Sequence, residues 1–131
     1  TMQARNTLRV AAVAGFSAVA FGAFGAHELK GVLAPELMTA YHTGVQYHLV
    51  HAVVLLVLAA WLMVRSDRWL SLASGFMTAG LILFSGSLYA LALTGERKLG
   101  MITPIGGVSW LIGWALLLVA ASRIPHSNSR P

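Results

Sequence analysis

His48 and His51 stand three residues apart in a long apolar run, and they share one helical face with Tyr41 and Gly44 through spacings of three, four and three. Two imidazoles at that spacing can ligate one metal ion. His27 or Glu28, at the end of the preceding apolar run, can supply a further ligand. The chemistry this implies is a metal or haem site between facing helices of a bundle. The competing use is hydrogen bonding, because a neutral imidazole carries one donor and one acceptor and is satisfied by a hydroxyl or a carbonyl on a neighbouring helix. Suitable hydroxyls are present: Ser85, Ser87 and Tyr89 lie in the third apolar run, and Thr103 and Ser109 in the fourth. A lone His-x-x-His, with no carboxylate inside the runs to orient it, is a sparse metal signature. The expectation is therefore a polar cluster of His27, Tyr41, His48, His51, Ser85, Ser87, Tyr89 and Thr103 that holds helices together and contacts a small ligand, a lipid or a partner helix. No cofactor is expected; a metal or haem on His48 and His51 is the alternative.

Other chemistries lack their parts. The chain contains no cysteine, so disulfides, thiolate ligands and cysteine nucleophiles are absent. Serines and histidines occur together, but no acid is placed to orient a histidine and no strained nucleophile turn is visible. Gly106-Gly107 matches no phosphate-binding pattern. Proton-coupled cation export by a small four-helix protein calls for an acidic residue within the membrane, and the apolar runs contain none. A non-enzymatic protein is the resulting expectation. His42 falls off the His48 face and is expected to be solvated, as are Glu28 and Glu36; Gln46 points away from that face, and His126 lies in the tail.

What positions these residues is a set of helices in lipid. The chain is 57% apolar and 10% charged, against roughly a quarter charged in soluble domains. Residues 10–27, 37–64, 69–95 and 99–122 contain no Asp, Glu, Lys or Arg. Each run reaches the roughly 17–25 residues a helix needs to cross the hydrocarbon core, and none alternates as a barrel strand would. The expected fold is an all-α integral membrane protein, an antiparallel bundle of four transmembrane helices at about 8–27, 36–64, 69–94 and 103–122. One membrane domain fills residues 1–131, with a short disordered tail at 124–131. Pro35, Gly95 and the pair Thr103-Pro104 mark helix ends. The second run exceeds a straight crossing, so its first turns are expected to lie in the interface or the helix to tilt. Arg5 and Arg9 before a Gly- and Ala-rich stretch also fit a leader, but an uncleaved first helix is the simpler expectation.

Positive charge sets the orientation. Arg5, Arg9, Arg65, Arg68, Arg123 and Arg130 fall on one side, and Lys30, Arg97 and Lys98 on the other, which puts both termini in the cytoplasm. Trp61 and Trp69 are then expected at the inner headgroup level, and Tyr41 and Tyr47 toward the outer one. The basic residues are scattered, with no stripe to hold nucleic acid. The lipid bilayer is the expected partner. Small residues at Ala14, Ala18, Gly22 and Ala26, at Ser71, Gly75 and Ala79, and at Ser109 and Gly113 are expected to let helices approach closely, within the chain, in a homo-oligomer or against a partner membrane protein.

Four stretches in order carry a family resemblance: residues 21–27 (FGAFGAH), 41–52 (YHTGVQYHLVHA), 84–91 (FSGSLYAL) and 102–108 (ITPIGGV). Together they resemble the YgdD-like family of small bacterial inner-membrane proteins, a domain of unknown function similar to a small mitochondrial membrane protein of animals. The resemblance spans about Leu8 to Ala121 and implies four spans in the inner membrane, with no established activity. Three functional readings follow: a ligand- or partner-contacting protein held by its histidine cluster, a metal- or haem-binding protein, and an accessory subunit of a larger membrane complex.

Overall fold

The computed structural model describes residues 2–125, and every element among them is helical. In chain order these are α1 (Ala4–His27), α2 (Pro35–Val64), α3 (Arg68–Gly80), a π-helical turn (Leu81–Ser85), α4 (Gly86–Thr94), a 3-10 turn (Arg97–Met101) and α5 (Thr103–Ser122). The third span is continuous through α3, the π turn and α4, and the structure has four segments long and apolar enough to cross a membrane. Residues 126–131, which include His126 and most of the expected tail, lie outside the described residues.

The helix ends follow the local signals. Pro35 and Pro104 occupy first-turn positions, where a missing N–H costs nothing. Gly95 closes α4 with φ 74°, a left-handed conformation that glycine adopts without steric cost. Asp67 caps α3: its carboxylate accepts from the N–H groups of Trp69 (2.7 Å) and Leu70 (3.3 Å) and pairs with Arg65 at 3.3 Å. Asp67→Ala is expected to lower stability by about 1 kcal/mol, the usual worth of an N-cap, and Asp67→Asn to restore most of it; thermal unfolding in mild detergent measures both. α1 begins four residues before the expected Leu8, because Thr7 is fully buried and its hydroxyl donates to the Gln3 carbonyl (2.9 Å). The same end is tied to the third span, where Ser71 donates to the Met2 carbonyl.

α1 packs mainly on α2, α5 mainly on the third span, and α2 and the third span pack against each other between them. The buried face of α1 runs Thr7, Ala11, Ala14, Ala18 and Gly25, a period near 3.5 residues. The expected every-fourth stripe drifts off that face, since each four-residue step turns about 40° past a full circle, and Ala26 is exposed. On α3 the stripe leaves the buried face in the same way: Ser71 is buried and Ala79 exposed, and the buried face runs Leu70, Ser71, Ala73, Ser74, Met77 and Gly80. Ser109 and Gly113 are buried as expected.

The π turn was not foreseen from the sequence. At its start α5 bonds to carbonyls of the third span: Ser109 donates to Phe76 (2.8 Å) and the Trp110 indole N–H to Met77 (3.0 Å). Gly80 leaves room for the Trp110 ring, and Gly106 lies directly on the Phe84 backbone, so a Cβ at either position would collide. Widening by one residue is a known response of a helix to such insertions, and π turns of this kind recur at functional sites.

Candidate functional site

A chain of hydrogen bonds crosses three spans through His48. Its Nδ1 lies 2.8 Å from the Tyr89 hydroxyl on α4, and its Nε2 lies 3.1 Å from Ser17 Oγ on α1. Ser17 also donates to the Ala14 carbonyl (3.1 Å), which uses its only proton. The assignment that satisfies every group is therefore directional: Tyr89 O–H donates to Nδ1, Nε2–H donates to Ser17, and Ser17 donates to Ala14. His48 is then neutral with both nitrogens occupied, and the chain ends on a backbone carbonyl, which has no proton to pass on. Phe21 stacks on Tyr89 with ring centroids 4.6 Å apart. Tyr41, fully buried, fills the slot above Gly25 and donates to the Phe21 carbonyl at 2.6 Å.

His51 faces a different neighbour. Its Nδ1 is 2.8 Å from the Tyr47 carbonyl, an acceptor only, so Nδ1 carries the proton and Nε2 is left as an acceptor. Nε2 receives the Trp114 indole N–H across a long 3.4 Å, and the imidazole stacks flat on Trp110 with centroids 3.7 Å apart. Beside these rings runs a groove of about 400 Å³ between α2 and α5, lined by Tyr47, His51, Phe84, Trp110 and Trp114 with Pro104 at one end. No charged residue lines it.

Of the other expected site residues, Ser85 donates to the Gly44 carbonyl (2.8 Å), where the missing side chain also admits the Tyr89 ring. Ser87 donates to the Phe84 carbonyl (2.9 Å) and is bonded to Thr103 on α5. His27 is not brought to this set; it ends α1 exposed, as His42 is on α2. Among the described residues, no three His, Asp or Glu side chains come together in a group that could hold a metal ion. A metal shared by His48 and His51 would have to displace the hydrogen bonds on both rings, which turn toward different helices. Ser17, Trp110 and Trp114 are missing from the sequence-based set. Ser17 is the sole polar residue between Arg9 and His27, and a tryptophan pair in the middle of a span, rather than at the headgroup level that indoles favour, is a signal in itself.

The four apolar spans, the absence of strands among the described residues and the interior hydrogen-bond chains define a multi-pass α-helical protein of the membrane. Residues 21–107 match the family model described as "Protein of unknown function (DUF423)". The chain is 45% identical over 127 residues to the "UPF0382 inner membrane protein YgdD" of Escherichia coli K12, which covers 97% of each chain. It is 44% identical to the "UPF0382 membrane protein YwdK" of Bacillus subtilis, over 84% of this chain and 90% of that one. The chain belongs to this DUF423/UPF0382 family and is a multi-pass protein of the bacterial inner membrane. No solved structure matches it.

Proposed function

We propose that this protein is a non-enzymatic binder of a lipid-phase molecule, taken into the groove between α2 and α5, on a bundle pinned by the Tyr89–His48–Ser17 chain. The observation that carries this reading is Trp114. It lies at the middle of α5 and is 46% exposed toward the surroundings of the bundle, yet its N–H is spent on a long bond to an imidazole across the groove. Indoles gather at the membrane interface rather than at mid-span, and a weakly held donor at that depth suits exchange for a ligand. The groove volume lies within the roughly 300–1,000 Å³ range of small-molecule sites. The reading keeps both termini in the cytoplasm, supported by the arginines clustered at the end that bears Arg65, Arg68 and Arg123.

Oleyl alcohol and monoolein serve as probes. At about ten times its half-saturating level, a ligand specific for the folded state adds about 1.4 kcal/mol, or roughly 3–6 °C in unfolding temperature for a chain of this size. At least one probe is expected to give that shift with wild type in mild detergent and to lose it with Trp114→Ala. No shift with either probe, or an equal shift in the variant, contradicts the proposal.

A further inference from the structure

The polar pair in the groove carries more information than its shape. We infer that the groove selects an alcohol: a long-chain lipid-phase molecule whose hydroxyl accepts a hydrogen bond from the Trp114 indole N–H and donates one to His51 Nε2. The inference rests on the ligand-binding reading above and names the chemical class of the ligand.

The two groups have fixed and opposite roles. Indole Nε1–H can only donate. His51 Nε2 can only accept, because the Tyr47 carbonyl at 2.8 Å holds the ring's single proton on Nδ1. Stacking on Trp110, with planes 5° apart, holds the ring plane, and the bond to the Tyr47 carbonyl holds Nδ1 toward its own helix and Nε2 toward the groove. Their mutual bond at 3.4 Å is well beyond the usual 2.9–3.0 Å for N–H donors, so the pair is poorly satisfied by itself. A donor and an acceptor side by side are matched by a hydroxyl, which offers both at a single atom.

Acceptor-only and charged groups each fit the pair less well. An ether, ester or ketone oxygen accepts from Trp114 and leaves Nε2 facing nothing. A carboxylate brings charge to the middle of the span, where no Lys or Arg lines the groove to receive it. An ammonium satisfies Nε2 and lies favourably on the aromatic faces, but it opposes the indole N–H. His51 is only 5% exposed and Trp114 is 46% exposed, which places the imidazole at the base of the groove and much of the indole ring toward its mouth. The hydroxyl end therefore goes in first, and the chain lies along the apolar wall formed by Val108 and Leu111.

The test is a fluorescence titration of the full chain in phosphatidylcholine nanodiscs with four C18 probes of equal chain: oleyl alcohol, methyl oleyl ether, oleic acid and oleylamine. Wild type is expected to bind the alcohol at least tenfold more tightly than the other three. His51→Phe, which keeps the stacked ring and removes the acceptor, is expected to bring the alcohol down to the level of the ether. Trp114→Phe, at the exposed mouth and outside the core, is expected to weaken alcohol and ether together. Equal binding of alcohol and ether by wild type overturns the inference while leaving the groove a ligand site, and so does a preference for the acid or the amine. Binding of none of the four overturns both this inference and the reading on which it rests.

Discussion

Gly106→Ala is expected to destabilise the protein by about 3 kcal/mol, the upper end of the range for overpacking, and to leave little folded material after mild heating. The cause is what the new methyl would meet. A Cβ at position 106 collides with the backbone nitrogen of Phe84 and reaches its Cα at 2.8 Å. A side chain can rotate away, but a backbone held in the π turn moves only if α5 separates from the third span. That separation would also break the bonds from Ser109 and Trp110 to the Phe76 and Met77 carbonyls. Gly75 provides the control. It lies within α3 with no other group within 4 Å of the place a methyl would take, so Gly75→Ala is expected to be neutral or slightly stabilising, in line with helix propensity. Recovery of monodisperse protein after a temperature series, read by size-exclusion chromatography, compares the two; equal recovery would show that α5 and the π turn are not in close contact.

His48→Ala is the second large effect. It removes hydrogen bonds at 2.8 and 3.1 Å, each worth roughly 0.6–1.7 kcal/mol inside a membrane, and opens a cavity between α1, α2 and α4. The expected loss is about 2–4 kcal/mol. Ser17→Ala and Tyr89→Phe each delete one end of the chain and are expected to cost about 1 kcal/mol apiece. Each should couple to His48 in a double-mutant cycle, because its bond is already gone once His48 is replaced. If His48 acted as a metal ligand instead, Ser17→Ala and Tyr89→Phe would be nearly silent in stability, while metal content would follow His48 and His51. Chemical unfolding of the single and double variants in one detergent separates these outcomes.

Much of the scaffold is legible in the sequence because lipid imposes a simple rule: charge-free runs of sufficient length must become helices. Pro35, Gly95, Thr103 and Pro104 then mark ends that the structure keeps within a residue or two. The polar set is legible for a related reason. A hydroxyl or imidazole in a span needs an internal partner, so Tyr41, His48, Ser85, Ser87, Tyr89 and Thr103 draw attention from their residue types and depth alone. Which partner each one takes depends on the rotation of one helix about another, and that phase is not written locally. The buried faces of α1 and α3 follow a 3.5-residue period, whereas the small residues seen in the sequence recur every fourth position, so Ala26 and Ala79 end up facing outward. The π turn is a tertiary effect, the response of Leu81–Ser85 to Trp110 and Gly106 on another helix. His27 is expected on the same side of the membrane as the cluster but ends its helix exposed. His48 and His51 look like a pair in the sequence. One serves α1 and α4 and the other serves α5, because a three-residue step leaves about 60° between them, enough to address different neighbours.

Asp67 shows how small the local signal can be. It is the only acid between Glu36 and Glu96, and its place just before an apolar run identifies it as a cap once the run is taken as a helix. Trp69, in the first turn of the same helix, lies under the guanidinium groups of Arg68 and Arg123 at 4.9 and 5.7 Å, an arrangement suited to the headgroup level expected for it.

Native mass spectrometry of the purified chain, released from mild detergent without added lipid, tests the groove most directly. Wild type should carry a one-to-one adduct of lipid-range mass that survives collisional removal of detergent. The adduct should persist in Phe24→Ala, altered at an exposed position on α1, and disappear in Trp114→Ala. An adduct retained equally in all three proteins, or a bare wild-type chain, would contradict a binding site between α2 and α5.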